Sequence, residues 1–468
     1  MLLEEKIKSK KPTESGKKVY IQSYGCQMNF ADSEVVASIL KKDGYTTTTK
    51  HSEADLILIN TCSIREKAEQ TVRKRVKDFK KTKKQNKDVV IGILGCMAER
   101  LKAKFIEEEK LVDIVVGPDA YRKLPELIQE TFDGRKAVNV ILSQEETYDN
   151  IEPVRLNSNG VNAFVSIMRG CDNMCSFCIV PFTRGRERSR NPQSILKEVK
   201  NLKKLGYKEV TLLGQNVDSY LWFGGGPKKD FLKIPLAKIK EKINFAELLE
   251  LIATKNPEIR IRFSTSNPQD MKDHVLKTIS KYKNICNYIH LPVQSGSSKI
   301  LRLMNRGHTR EWYLDLIKRV KKHIPDCGLS SDFITGFCGE EEEDHALTLS
   351  LMEIVKYNFS YMFYYSERPN TFAQRKLIDN VSEEIKKRRL QEIINLQQKH
   401  SLLKNQESID KRYEILIEGV SKKSNEKFFG RNEQNTVVVV NKKNTNIGDF
   451  INVKIKDCTS ATLIGEKI

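Results

Sequence analysis

Three cysteines of this chain close apolar runs of one kind. KVYIQSYG leads to Cys26, DLILINT to Cys62 and VVIGILG to Cys96, at intervals of 36 and 34 residues. That interval is about the length of one strand–helix–strand unit. Apolar runs of this length, separated by helical stretches, read as buried parallel strands. If the three runs are neighbours in one sheet, all three thiols emerge beyond one edge. Open sheets of this kind bind their ligands there, outside the carboxyl ends of the strands.

A second triplet is built differently. Cys171, Cys175 and Cys178 lie within nine residues, GCDNMCSFC. A compact loop of this spacing is a thiolate claw suited to an iron–sulfur cluster. The alternative is zinc, but structural zinc usually takes four ligands from paired knuckles, and no second knuckle or nearby His pair completes one here. The dispersed triplet has its own alternative, since buried cysteines also serve as small hydrophobes. Its repeated placement at strand ends favours ligands. Three ligands on four irons leave one iron open, which points to chemistry rather than electron storage. Cys286, Cys327 and Cys458 have no comparable setting and are expected to be structural; Cys338, in the loop GFCGE, stays open.

The chain has 468 residues, of which 39% are hydrophobic, and this suits roughly three domains of about 150 residues. The formal net charge of +20 favours an anionic partner, nucleic acid before an anionic membrane surface. No apolar run approaches the ~18 residues of a membrane span. The start, MLLEEKIKSKK, has no apolar core of a signal peptide. Ten cysteines in a chain this long are not a small secreted disulfide scaffold, and thiolate ligands suit a reducing cytoplasm.

From about 17 to 147, strands at 18–24, 55–61, 89–94 and 112–116 alternate with helical stretches near 32–42, 65–84, 97–107 and 121–132. This reads as a parallel α/β domain. Residues 148–160 have no periodicity and read as a linker. A second alternating region, 157–381, holds six strand candidates: 161–168, 208–213, 258–264, 287–293, 328–335 and 359–365. Six β/α units fit an incomplete (β/α)6 barrel rather than a closed eightfold one. Its clearest helix is 192–205, with Asn191 as N-cap, Pro192 in the first turn and Gly206 past the end. Residues 219–243 read as an insertion. A charged helix, 382–405, connects to a C-terminal part, 406–468, whose short strands and Gly, Asn and Lys turns signal a small all-β barrel.

The compact claw follows the first barrel strand, on the face where barrel sites are built. Phe177, inside the claw, is placed to stack on a purine or to pack in the core. Polar residues gather at the ends of the other strands: Gln215, Asn216, Ser264, Thr265, Gln294 and Ser295, with Asp332 in the fifth strand and Arg368 after the sixth. Of these, Gln215, Asn216, Ser264, Gln294 and Asp332, with Phe177, are the candidate small-molecule ligands. Two basic runs stand out. Arg65–Lys87 reads first as a solvated helix face. Arg184, Arg186, Arg188 and Arg190, at alternate positions beside the claw, read as phosphate contacts for an RNA.

With these residues assembled, the chain resembles the methylthiotransferases of the radical S-adenosylmethionine superfamily, from residue 17 to the C-terminus. SYGCQMN (23–29), NTCSIREKAE (60–69) and GCMA (95–98) look like the family's amino-terminal domain. GCDNMCSFCIVPFTRGRERSR (170–190), LGQNVDSY (213–220) and HLPVQSGS (290–297) look like its radical core, and the terminal β segment looks like a TRAM RNA-binding domain. Within the family the set is most similar to the branch that acts on N6-dimethylallyladenosine in tRNA. The family usually has Pro where Cys338 stands and Gly where Asn370 stands; Asn tolerates the left-handed backbone a Gly would supply there.

The resemblance implies two 4Fe-4S clusters. Cys171, Cys175 and Cys178 would hold the one whose open iron binds S-adenosylmethionine and drives its cleavage to a 5′-deoxyadenosyl radical. Cys26, Cys62 and Cys96 would hold an auxiliary cluster that carries the sulfur to be inserted. The radical would take hydrogen from C2 of the adenine at position 37 of a tRNA anticodon loop, and a second S-adenosylmethionine would supply the methyl. An unpaired loop suits this, because its bases can be splayed into a pocket. Phe177, Gln215, Asn216, Ser264, Gln294 and Asp332 would line the S-adenosylmethionine pocket. An external electron donor and sulfur source, a cytoplasmic location, a monomeric state and no membrane contact complete the expectation. The rivals are a sister enzyme acting on an aspartate of a ribosomal protein, a relative acting on threonylcarbamoyl-adenosine, and a non-catalytic iron–sulfur RNA-binding regulator. The arginine run, the Gln215–Asn216 context and the net charge favour RNA as substrate.

Overall fold

The three apolar runs are adjacent strands. In the computed structural model, β1 (Lys18–Ser23), β2 (Thr46–Thr48), β3 (Leu56–Thr61), β4 (Val90–Gly95), β5 (Ile114–Val116) and β6 (Ala137–Asn139) form one parallel sheet. Its order is β2-β1-β3-β4-β5-β6. β3 and β4 are buried along their whole length, as unbroken apolar strands in a two-faced sheet should be. Helices cover both faces. Val36, Leu40 and Leu124 pack on one; Val72, Val76, Phe79 and Phe105 pack on the other. The three-residue edge strands β2 and β6 carry too little pattern to be read from the sequence. The residues described are 16–62, 66–156, 158–235 and 241–468; the polar amino-terminal stretch, Ser63–Arg65, one residue of the expected linker and part of the 219–243 insertion lie outside them.

Two expectations are corrected here. The first helix spans Gln27–Lys42 and so begins five residues earlier than its apolar period suggests. Asn29 lies in the missed turn, and like Asp32 and Ser33 in the next one it is polar yet buried. The expected linker has no helix or strand, but up to Leu156 it is strapped to this sheet. Tyr148 and Ile151 enter the core, the Tyr148 hydroxyl donates to the Pro118 carbonyl at 2.9 Å, and Arg155 pairs with Glu34 at 2.6 Å. The described chain folds as two compact units. The first holds the sheet, through Leu156, together with Phe182–Arg184; the second holds the remainder.

In the second unit the six expected strands are Asn162–Ser166, Glu209–Leu213, Arg260–Ser264, Tyr288–His290, Gly328–Thr335 and Phe359–Tyr364. They form two three-stranded parallel sheets, joined where Ile261 bridges Ile285. This is the incomplete barrel. Its outward apolar residues, such as Val210, Leu212, Ile261 and Phe333, pack under the surrounding helices. Helix Pro192–Lys204 starts as its sequence predicts: the Asn191 side chain accepts from the amides of Gln193 and Ser194, and Gly206 lies past its end at φ +90°. Asn370 has φ +68°, so the turn that Gly usually makes in the family is kept by Asn. Of the insertion, Leu221–Trp222 and Ile243–Asn244 pair as an antiparallel ribbon.

Helix Glu383–Gln406 lies along the last barrel strand, with Gln397 bonded to the Ser360 hydroxyl and the Tyr357 carbonyl. The C-terminal strands Arg412–Val420, Lys427–Arg431, Val437–Asn441, Phe450–Cys458 and Leu463–Lys467 close into a five-stranded barrel. The last of them, LIGEK, is not signalled by the sequence; it closes the barrel by pairing parallel with one neighbour and antiparallel with the other. A turn of this small barrel meets the amino-terminal ends of the large barrel's strands. Arg260 donates to the Arg431 carbonyl at 3.1 Å, and Arg262 to those of Asn432 and Glu433 at 2.7 and 3.1 Å. Glu209, buried between the two arginines, accepts from both at 2.6 and 2.8 Å. A Cβ on Gly328 would stand 2.7 Å from the Gln434 carbonyl. The turn therefore forms a floor beneath the barrel.

Candidate metal centres and the barrel mouth

Cys26, Cys62 and Cys96 follow β1, β3 and β4, three neighbours in the sheet. The pairings Ser23–Asn60 and Thr61–Gly95 hold those strand ends level. Two glycines make room for the thiols. Gly25 has φ +108°, and a Cβ there would lie 2.3 Å from the Cys62 Cβ. Gly95 has φ +89°, and a Cβ there would lie 2.3 Å from the Asn60 Oδ1. Cys26 caps helix Gln27–Lys42 with its backbone, and Cys96 opens the next helix, Cys96–Leu101. The Cys26 thiol is lowered to about 6, first by the hydrogen bond from Cys62, against the opposing effect of burial, and then by the Arg184 charge. Burial pushes the Cys96 thiol up, and the Arg184 guanidinium beside it opposes that rise.

Arg184 is thus not a phosphate contact. Its side chain is 3% exposed, pairs with the buried Asp32 at 2.9 Å and donates to the Asn29 Oδ1 at 2.8 Å. Arg188 and Arg190 are also corrected. Arg188 is buried and donates to the Arg186 carbonyl at 2.9 Å. Arg190 is buried against Glu198 at 2.5 Å, with Ser194 and the Ser166 carbonyl as further partners. A desolvated guanidinium needs such acceptors, and these three have them within the protein. Arg186 keeps a side chain 46% exposed, facing Asp172 at 3.4 Å. The basic run near 65–87 is partly self-neutralised, with Arg73 on Glu69, Glu108 and Glu109 and Lys83 on Asp113.

The compact claw is held from several sides. Gly170, at φ +77°, donates its amide to the Gln215 side chain at 2.6 Å, and the Cys171 amide donates to the Gly185 carbonyl. The Ser176 amide and hydroxyl donate to the carbonyls of Met304 and Leu303, and Asn305 donates to that of Met174 at 2.9 Å. Arg306 brings its guanidinium to 3.4 Å from the Cys175 sulfur. Burial raises the Cys171 thiol to about 12 and the Cys178 thiol further, and charge on the neighbouring thiols adds to both. Among the described residues, no three His, Cys, Asp or Glu side chains are gathered as tightly as one metal ion requires. A cluster asks for less, because each iron takes its own thiolate. The donor sets fit iron–sulfur clusters: each offers three free thiols, whose deprotonation a bound cation would drive.

Around the mouth, the expected ligand residues divide. Gln215 is engaged by the claw loop. Asn216 is buried and donates to Asp270 at 2.7 Å, beside Asp218, whose carboxyl burial raises well above its usual range. Gln294 is buried at φ +78°, its amide on the Asp332 carbonyl. Asp332 faces His290 at 3.3 Å, and Ser264 ends the third strand, half-buried. Phe177 is half-buried, edge-on to Phe337 with ring centres 6.4 Å apart. Cys338 is buried with Phe337 and Tyr365. Sequence reasoning missed Asn29, Asp32, Arg306 and Glu187, which is buried beside the claw loop with Ser219 and Lys228 as partners. The first two could have been found as polar residues one turn apart on the helix that starts at Cys26; nothing in the sequence singled out the others.

Comparison with known proteins decides the family. Residues 18–117 match the uncharacterized protein family UPF0004, residues 165–352 the Radical SAM superfamily and residues 409–468 the TRAM domain. A tRNA-2-methylthio-N(6)-dimethylallyladenosine synthase of Christiangramia forsetii is 65% identical over 452 residues, 97% of this chain and 94% of the relative. The chain belongs to the tRNA-2-methylthio-N(6)-dimethylallyladenosine synthase family. The Bacteroides fragilis member of this synthase family is 52% identical over 455 residues, 97% of this chain and 96% of its own. Among solved structures, a radical S-adenosylmethionine methyltransferase, TsrM, of Kitasatospora setae, with cobalamin and a 4Fe-4S cluster bound, aligns over 75% of each chain with a TM-score of 0.51. At 12% identity that likeness speaks for the fold of the synthase and no more. No described helix of the chain is long and apolar enough to cross a membrane.

Proposed function

We propose that this chain methylthiolates C2 of N6-dimethylallyladenosine at position 37 of tRNA. The observation that carries the reading is the placement of Cys26, Cys62 and Cys96 at the ends of three adjacent strands, in a chain that also bears a radical barrel with its own claw. Cys171, Cys175 and Cys178 hold one 4Fe-4S cluster, and the dispersed triplet holds the second. When bound, the clusters and S-adenosylmethionine supply the electron, the hydrogen abstraction, the sulfur and the methyl group. The electron donor and the sulfur source are external, and the chain works as a monomer in a reducing cytoplasm.

The protein's own part is to hold and exclude. Gln215, Asn305 and Ser176 fix the claw loop, and the Asn432–Asn435 turn closes the barrel below. Closure matters because a reactive site must keep out water and competing hydrogen donors. Ser264, Gln294 and Asp332, with Phe177, bind S-adenosylmethionine in this reading. Gln215 and Asn216 support that pocket from behind. Of the arginine run, Arg186 is left to meet an RNA phosphate. The division of labour follows residues 17–147 for the sulfur-bearing cluster, 157–381 for the radical core, 382–405 as connecting helix and 406–468 for RNA.

The test is nucleoside mass spectrometry of tRNA from cells with and without this chain. Loss of the methylthio group with accumulation of N6-dimethylallyladenosine is expected. Unchanged tRNA, with loss of a methylthio group from a ribosomal-protein aspartate, would refute the substrate.

A further inference from the structure

We propose that Arg184 is the positioning cation of the Cys26–Cys62–Cys96 centre and sets the retention and reduction potential of the cluster bound there. The inference rests on the reading that this triplet holds a cluster. Arg184 lies six residues beyond Cys178 in sequence, in the run that continues the claw, yet Phe182–Arg184 fold with the sheet that carries the other triplet. The guanidinium is almost wholly desolvated, and its ion-pair partner Asp32 is 1% exposed. Asp32 and Asn29 project from the helix that starts directly after Cys26. Both accept from the same guanidinium nitrogen, Nη2, and the Cys26 sulfur stands 3.6 Å from the Asn29 Oδ1 that this nitrogen bonds, so the charge lies beside the thiols of Cys26 and Cys96.

A buried arginine with one carboxylate needs nothing more for neutrality, so its approach to the thiols calls for a reason. Three thiolates on an iron–sulfur core leave net negative charge, and two of them, Cys62 and Cys96, are buried. A fixed cation that donates to a thiolate offsets that charge. Potentials of such clusters follow net charge and hydrogen bonds to the sulfurs. Partners one shell out from a metal typically change its affinity by about 10- to 100-fold. The planar fork also matters, since a lysine would keep the charge but not the rigid set of donors that meets Asp32 and Asn29.

The test uses the full-length chain with Cys171, Cys175 and Cys178 replaced by Ala, so that iron can bind at the dispersed triplet alone. After anaerobic reconstitution with iron and sulfide, iron per chain, resistance to a chelator and the midpoint potential followed by electron paramagnetic resonance are measured. Arg184→Lys is compared with the double variant Arg184→Met/Asp32→Asn. The double variant removes both buried charges, so no orphan carboxylate is left to unfold the site. It is expected to lose iron to the chelator about 10- to 100-fold more readily. With net charge unchanged but the donor beside the sulfurs gone, its remaining cluster should show a more negative potential, with Arg184→Lys lying between it and the parent. A double variant that matches the parent in iron and potential overturns the role of Arg184. A parent that binds no iron overturns the second-cluster reading, and the Arg184 inference with it.

Discussion

Gly25 offers the sharpest test of how the dispersed triplet is assembled. In Gly25→Ala the new Cβ meets the Cys62 Cβ at 2.3 Å. That atom is fixed to the backbone and cannot swing aside as the tip of a long side chain could. Two penalties follow. Holding Ala at φ +108° strains the backbone by about 1–2 kcal/mol. Forcing a methyl into packed surroundings adds about 1–3 kcal/mol. Gly134→Ala is the control, because Gly134 has φ +77° and open space around it. It carries the strain without the collision, and the small gain from a stiffer unfolded chain is common to both. The difference of about 1–3 kcal/mol falls on the spacing of Cys26 and Cys62, and corresponds to about 5- to 150-fold in iron retention. The assay is chelator competition in the chain whose compact claw has been removed. Gly134→Ala should keep its iron as the parent does, while Gly25→Ala should lose it faster. A folded Gly25→Ala that retains iron like the control would refute the reasoning, because Cys62 could not then stand where the glycine admits it.

Other expectations follow from charge and burial. Arg190→Ala breaks the buried ion pair with Glu198, a change of about 3–5 kcal/mol, so it should lower the melting midpoint. Arg186→Ala should leave melting unchanged and make the salt dependence of tRNA binding shallower by about one unit of slope. Burial raises the Glu187 carboxyl from 4.5 to about 7, against the opposing Lys228 charge. The native state therefore keeps a proton that the unfolded chain releases. This contribution is whole below about pH 4.5 and is lost as pH rises through about 7. Glu187→Gln should flatten the fall of melting midpoint with pH across that window, and an unchanged profile would count against it. A chain ending at Asn405 removes the carbonyls that Arg260 and Arg262 use, so limited proteolysis should cut the large barrel sooner. Any loss of tRNA binding in that chain cannot then be assigned to RNA contacts alone.

Strands and thiols were legible because they obey local rules. The runs before Cys26, Cys62 and Cys96 are apolar enough to be strands anywhere, and the claw spacing is written in nine consecutive residues. What the sequence hid was which polar groups go inside. Arg184, Arg188 and Arg190 look from the sequence like a row of surface cations, since alternate charged residues beside a site are usually exposed. Asp32 and the Ser166 carbonyl are brought to them by folding from far along the chain, while Ser194, Glu198 and the Arg186 carbonyl are near in sequence but meet the arginines only because the chain turns inward there. Asn29 hid the first turn of a helix for the same reason: it is polar, yet buried. The strap at 148–156 escaped notice because two buried side chains and a few hydrogen bonds fix it without any period.

The turn beneath the large barrel has a mechanical consequence. A gripping module on a flexible tether accepts partners of many shapes, and its linker sets only an average concentration. Here three guanidinium–carbonyl bonds and the close approach at Gly328 bolt the module to the chamber. The span from that module to the open end of the barrel is then a set length. Under the proposed function that length acts as a caliper: it would admit an RNA whose loop reaches the claw when its stem meets the module, and leave others short of it before any base is read.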